Sequence, residues 1–266
     1  MTQQSPQQSP QQSTHPAEHP RHITFDRLHN FRDLGGYRGA DGRTVAWGAL
    51  YRADSLGKLQ VGGGPDWDRF LALGIRTVID LRYPWEIEAK GRIPEPGRFT
   101  YANLSIEHRP YDQAAIDPGI DPWRYLADRF AEVAEDGVEE IRQVIELIAG
   151  GPGPAVFHCT SGKDRTGLIA ALVLTLLGVS EEDVLADFAL TELATERLLA
   201  DWHAANPDRT MRWPSYGRAP AVVLSLVLAD LSARYGSTAG YLADRVGITP
   251  STRDHLRTRF LATTSN

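Results

Sequence analysis

The segment His158-Cys159-Thr160-Ser161-Gly162-Lys163-Asp164-Arg165-Thr166-Gly167 constrains this chain more than any other, and it holds the chain's one cysteine. The apolar run Pro154–His158 leads into it, and a second apolar run, Gly167–Leu177, leads out. The first reads as a buried strand and the second as a buried helix, so the segment is a tight loop between a strand end and a helix N-terminus. Backbone N–H groups wrapped into such a loop, with a helix N-terminus behind them, suit a dianion such as a phosphate monoester. Gly162 lets the backbone approach closely without a Cβ in the way.

The residue types within the loop point to nucleophilic chemistry on that anion. Cys159 is the expected nucleophile; the loop N–H groups, the helix dipole, Arg165 and Lys163 all favour its thiolate. Arg165 offers a planar fork of donors that grips two phosphoryl oxygens. Thr160, Ser161, Gly162, Lys163, Asp164, Arg165 and Thr166 form the expected phosphate-binding set. Thr166 is placed to donate to the cysteine sulfur and ease its departure. His158 is expected to hydrogen-bond the loop rather than act as a base. The implied reaction has two steps: a phosphocysteine forms, then water hydrolyses it. The alternative for the whole motif is a buried structural cysteine.

The loop has the form HC-x5-R-T, and it resembles the signature of the atypical bacterial protein-tyrosine and dual-specificity phosphatases, typified by mycobacterial tyrosine phosphatase B and the LipA-like enzymes. Three further segments match that family's habits: Asn30-Phe-Arg-Asp-Leu-Gly-Gly-Tyr37, Leu50-Tyr-Arg-Ala-Asp-Ser55 and Val78-Ile-Asp-Leu-Arg82. The resemblance implies an α/β, tyrosine-phosphatase-like fold: a central, mostly parallel sheet flanked by helices, with a helical lid-like insertion. It implies no metal and no cofactor. Its substrates are phosphotyrosine, often with phosphoserine, phosphothreonine and phosphoinositides. Carried over, Cys159 is the nucleophile, Arg165 binds phosphate, Asp164 serves the acid–base steps and Lys163 adds positive charge. Lys163 could equally be a solvated loop cation.

A general acid must protonate the leaving oxygen. Other tyrosine phosphatases supply it from a mobile Trp-Pro-Asp loop, and this sequence has no such tripeptide. Asp164 is the first candidate, its alternative being an ion pair that orients Arg165. Asp80, Asp112 and Asp117 remain open. Asp80 and Arg82 end a buried strand, and active sites of α/β sheets gather at strand C-termini. Their alternative is an ion pair fixing the strand-to-helix turn, and Arg32 and Asp33 are read the same way.

Composition narrows the field. With 266 residues, 42% of them hydrophobic, there is enough chain for one sizeable α/β core. A formal net charge of -6 argues against a nucleic-acid partner. One cysteine excludes an internal disulfide and suits a reducing compartment. The polar N-terminus has no apolar signal core, and the run Leu168–Val179 is too short to span a bilayer. A cytoplasmic location is expected, with secretion without a cleaved signal left open. His15 and His19 lie in a proline-rich tail, which argues against a metal site.

Residues 1–21, rich in Gln, Ser and Pro, read as a disordered tail, and 22–266 as a single phosphatase domain. Strands are expected over Thr44–Arg52, Ile75–Leu81 and Phe99–Ile106. Asp121-Pro122 reads as a helix cap, and Ser180-Glu-Glu-Asp183 as another. Gly137 is a candidate interruption. Residues 187–218 fall where the family carries its lid, which predicts a cover over the site with Trp213 and Met211 as apolar contacts. Ordinary edge packing is the alternative. Rival functions are a rhodanese-like sulfurtransferase and a non-catalytic phosphopeptide-binding module.

Overall fold

In the computed structural model, residues 21–59, 63–106, 112–213 and 215–263 are described. The tail expected over 1–21 lies outside them except for Arg21, and so does the 107–111 part of the polar stretch before Asp112. The strand leading into the cysteine loop is β6 (Ala155–His158), and it occupies the middle of a five-stranded sheet. The other strands are β1 (Arg32–Asp33), β3 (Leu50–Ala53), β4 (Thr77–Asp80) and β5 (Thr100–Asn103), in the order β1-β3-β6-β4-β5. Only β1 is antiparallel to its neighbour. In register, His158 stands level with Ala53 and Asp80, so three strands end together where the loop begins. A separate ribbon pairs β2 (Thr44–Val45) with β7 (Leu261–Ala262). The strand expected over Thr44–Arg52 is therefore two strands, split at Gly48, whose positive φ turns the chain.

Alternation along each strand loads both faces of the sheet. Leu50, Ile79, Ala155 and Phe157 enter the larger core. That core also receives α3 (Pro122–Asp136), α4 (Val138–Gly150), α5 (Asp164–Leu176), α6 (Glu181–Ala189) and α8 (Ala221–Tyr235). Tyr51, Val78 and Val156 point the other way, onto Phe25, Phe31 and the Trp67 and Phe70 of α1 (Pro65–Ala72). The remaining helices are α2 (Pro84–Lys90), α7 (Thr195–Ala205), the short α9 (Thr238–Gly240) and α10 (Pro250–Phe260).

α5 is buried on all sides, from Arg165 through Leu174. A helix apolar all round belongs in a core, which fixes the signature loop rigidly at its start. Gly167 makes this packing feasible: a Cβ there would lie 2.8 Å from the ring of Phe188 on α6. Asp121 caps α3 by accepting from Trp123 N at 3.0 Å, with Pro122 in the first turn. Ser180 caps α6 by accepting from Asp183 N at 3.2 Å. Gly137 does interrupt the helix, dividing α3 from α4, and a Cβ there would collide with Ile106. Among the described residues no helix is long and apolar enough to cross a membrane.

Candidate active site

Every carbonyl of the signature loop is bound from behind. His158 Nδ1 lies 3.2 Å from Cys159 O. Ser55 N donates to Thr160 O at 3.1 Å. The Asn30 amide donates to Ser161 O at 3.0 Å and Gly162 O at 3.1 Å. Arg52 Nη2 donates to Gly162 O at 2.8 Å, and Gly167 N closes the first turn of α5 on Lys163 O at 2.8 Å. With five consecutive carbonyls drawn into the protein, the loop's N–H groups are left to the concave side. Gly162 has a φ of +68°, and a Cβ on it would lie 2.6 Å from Ala53 O. Its role is thus to let the loop sit against β3, rather than to clear space for the ligand.

The tethers belong to a buried network. Arg32 donates to Asp187 through Nε at 3.1 Å and also holds the Asn30 side-chain carbonyl. Arg52 Nη1 reaches the other Asp187 oxygen at 2.6 Å. Burial opposes the Asp187 charge, but the two guanidiniums outweigh it and hold the carboxyl at about 2. The segments Asn30–Tyr37 and Leu50–Ser55 therefore serve the loop from the rear. Asp187 has no motif around it, and only the fold brings it to them.

A cavity of about 630 Å³ opens on the other side. Thr160, Ser161, Lys163, Asp164 and Arg165 line it, with Lys58, Lys90, Arg129, Phe130 and Val133 around them. Cys159 is buried, with 2% of its surface exposed. Arg165 is gripped by Glu86: Nη1 to Oε2 at 2.6 Å and Nη2 to Oε1 at 3.0 Å. Nη1 also donates to Leu81 O at 3.2 Å, and the guanidinium lies 5.4 Å from the Tyr83 ring centre. Glu86 further accepts from Thr160 Oγ1 and from Tyr83 N, at 2.9 Å for the latter. Burial pushes the Glu86 carboxyl up, yet Arg165 and the other donors override it and bring it to about 2. Sequence reasoning missed Glu86. Its only signal was a position four residues after Arg82 in the first turn of α2, which reads equally as a helix cap.

The candidate acids separate by position. Asp164 lines the cavity, and its Oδ1 is buried without a hydrogen-bond partner, 3.3 Å from Lys163 Nζ. Glu86, not Asp164, orients Arg165. Asp80 is fully buried away from the cavity and paired with Arg82 at 2.7 Å; it also lies 3.6 Å from His158 Nε2. It supports the strand ends and has no path to a leaving group. Burial pushes the His158 imidazole below its ordinary value, against the charge of Asp80. Asp117 is exposed and closes a turn on Gly119 N at 2.7 Å. Asp112 reaches the cavity mouth but is paired with Arg209. Lys163 is no solvated cation: it is 2% exposed and donates to Arg218 O at 3.3 Å. Thr166 Oγ1 is buried without a partner, so the bond expected to the cysteine sulfur is not made.

Residues 187–218 divide into parts. Asp187 lies in the buried network, and Trp213 packs in the core with Tyr125, ring centres 6.1 Å apart. Trp213 and Met211 do not line the cavity; Leu198, Trp202 and Ala205 of α7 do, together with Tyr216. Asp201 ties α7 down, to Lys58 Nζ at 2.6 Å and His29 Nε2 at 3.0 Å. Among the described residues no group of three or more His, Cys, Asp or Glu side chains is placed to hold a metal ion.

Comparison with known proteins shows the family. A family model described as "Tyrosine phosphatase family" matches residues 23–262. A protein of Cupriavidus necator provisionally named a tyrosine-protein phosphatase is 30% identical over 251 residues, covering 86% of this chain and 85% of its own. The triple specificity protein phosphatase PtpB of Mycobacterium tuberculosis is 26% identical over 276 residues, covering 86% of this chain and 95% of its own. The solved P. aeruginosa TpbA in complex with pTyr aligns over 68% of this chain and 85% of its own, at 17% identity and a TM-score of 0.29, too loose a likeness to bear on the site.

Proposed function

Because the chain belongs to the tyrosine phosphatase family, we propose that its phosphatase activity runs on Cys159, Arg165 and Asp164 through a phosphocysteine. One observation carries this reading: the donor count at Arg165. A guanidinium has five N–H donors. Glu86 takes two and Leu81 O takes a third. The two that remain, on Nε and Nη2, share one edge of the fork. That edge matches two oxygens of a phosphoryl group, in the ground state and in the trigonal-bipyramidal transition state.

The mechanism follows from the placement. The Cys159 thiolate attacks phosphorus, and the phosphoryl oxygens meet the loop N–H groups and the free edge of Arg165. Asp164, a carboxyl that lines the cavity and is ion-paired with Lys163 at 3.3 Å, gives its proton to the leaving oxygen and then takes one from the water that cleaves the phosphocysteine. Lys163 balances charge beside it. The substrates are phosphotyrosine side chains, with phosphoserine and phosphothreonine. Phosphoinositides belong to the same reading at a finer level: Lys58, Lys90, Arg129, Lys163 and Arg165 line the cavity against only Asp112, Asp164 and Asp201. Sulfur transfer and non-catalytic phosphopeptide binding have no comparable support, since the family is one of phosphatases and both Cys159 and Arg165 are present.

The test is turnover of p-nitrophenyl phosphate. Wild type should be active and Cys159→Ser reduced by at least ~10⁴-fold, while still binding vanadate. Equal activity of the two would sink the assignment. A panel of phosphopeptides and phosphoinositides then ranks the substrates.

The covering role read for 187–218 narrows to 195–217, the part carrying Leu198, Trp202 and Tyr216. Its support is that these side chains roof the cavity while Asp201 pins them by ion pairs a bound anion would disturb. Vanadate should protect 195–217 from limited proteolysis; unchanged cleavage would count against a cover.

A further inference from the structure

The loop's rear network carries a net positive charge that the reaction described above does not use. Arg32 and Arg52 share a single carboxylate, Asp187, and all three are essentially fully buried. An uncompensated buried charge is costly. Its position makes the cost larger. A Cβ on Gly167 would lie 3.6 Å from Arg52 Nη2, so this guanidinium abuts the first turn of α5. A helix N-terminus already carries positive potential. A surplus cation placed there needs an anion close by, and Arg52 Nε is buried with no partner of its own.

The charged groups around Cys159 make its thiolate a candidate for that anion. From α5 come Arg165, taken by Glu86 of α2, and Asp164, which sits by Lys163. From β4 come Asp80 and Arg82, neutralised by each other. At the end of β3, Asp54 shares Lys58 with Asp201 of α7 and accepts from the backbone N–H groups of His29 and Asn30. β6 supplies His158, whose imidazole burial keeps toward neutral. Arg52, bonded to Gly162 O of the loop, carries the positive excess over Asp187 and is coupled through space to Cys159, whose ionised form is negative. Burial and Arg32 push the Arg52 guanidinium down to about 10, while Asp187 and then Cys159 pull the other way.

From this geometry we infer that Arg52 is a positioning residue that sets the ionisation of Cys159: its buried charge stabilises the thiolate from beneath while its Nη2 fixes Gly162 O, and Asp187 limits how strongly it acts. The inference rests on Cys159 being the nucleophile. It gives a role to Leu50–Ser55 that does not involve touching substrate.

The experiment is the pH dependence of iodoacetamide alkylation of Cys159, followed by mass in the full chain. The midpoint of the profile reports thiolate formation, and the plateau at high pH reports access to the sulfur. Arg52→Gln should move the midpoint up by about one unit, roughly tenfold slower alkylation well below it. Asp187→Asn should move it down. The double variant, which restores the buried net charge, should return it near wild type. Arg52→Lys keeps the charge and loses the fork, and should stay near wild type. A merely structural Arg52 would change the plateau and leave the midpoint alone. An unmoved midpoint in Arg52→Gln, or shifts of the same sign in Arg52→Gln and Asp187→Asn, overturns the inference. If Arg52→Gln does not fold, Asp187→Asn decides, and an unmoved midpoint there is fatal. Inactivity of wild type on p-nitrophenyl phosphate would instead defeat the phosphatase assignment of Cys159, and is read separately.

Discussion

The two sides of the signature loop are built by opposite rules. On the rear, Asn30, Arg52, Ser55 and His158 claim loop carbonyls one after another, and the participating charges are buried. On the front, toward the cavity, polar capacity is left open: two donors on Arg165 and the loop N–H groups. A buried polar group without a partner costs free energy, so the front is expensive by itself. The rear offsets that cost and holds the front ready for an anion. Glu86 is the one residue that works on both sides, since it fixes Arg165 yet lies next to the site.

That contrast is broken most severely from the front. Asp164→Asn should slow kcat/KM for alkyl phosphates by ~10²–10⁴-fold. For p-nitrophenyl phosphate, whose leaving group needs little protonation, the loss should be only several-fold. Steady-state kinetics on both esters check this, and equal losses would remove Asp164 as the acid.

Glu86→Gln should come next, with kcat/KM down by ~10–100-fold because Arg165 loses its geometry. It also has a pH signature. The folded Glu86 carboxyl sits at about 2, below its ordinary 4.5. A depressed carboxyl adds stability that is complete above its unfolded value and fades as pH falls toward its folded one. The stability difference between wild type and Glu86→Gln should thus be up to about 3 kcal/mol above pH 4.5. It should shrink steadily between 4.5 and 2. Denaturant titrations across that window would show it; a difference independent of pH would mean that the ion pair adds nothing.

The mildest of these tests strikes the rear. Asn30→Ala leaves the Ser161 carbonyl without its side-chain donor, Gly162 O with Arg52 alone, and Arg32 short of an acceptor. A stability loss of about 2 kcal/mol is expected, with a smaller effect on KM than on kcat. A variant as stable as wild type would show that the loop keeps its shape without the tether.

Much of this was legible in the sequence because it is local. The strand, loop and helix around Cys159 follow from apolar runs and a short polar loop. The caps at Asp121 and Ser180 and the break at Gly137 follow from residue types with fixed backbone habits. The Asp80–Arg82 pair follows from a separation of two at a strand end, where both side chains stay on one turn. The cover was only half legible: its place was expected over 187–218, but nothing in the pattern says that Trp213 turns into the core while Trp202 faces the cavity.

By itself, then, the sequence determined the cysteine loop between strand and helix, the sheet-and-helix class and the family habits of the segments near Asn30, Tyr51 and Asp80. Tertiary structure decided what stands beside each carboxylate. Asp164, Asp80, Asp112 and Asp117 are the same chemical group, and burial and partners alone set them apart: Asp164 lines the cavity beside Lys163, Asp80 pairs with Arg82, Asp112 with Arg209, and Asp117 closes a turn. Glu86 and Asp187 acquire their roles from residues 79 and 135 positions away, Arg165 and Arg52. The physical reason is range: backbone preference acts over a few residues, whereas a charge answers to whatever the fold places beside it, from any distance along the chain.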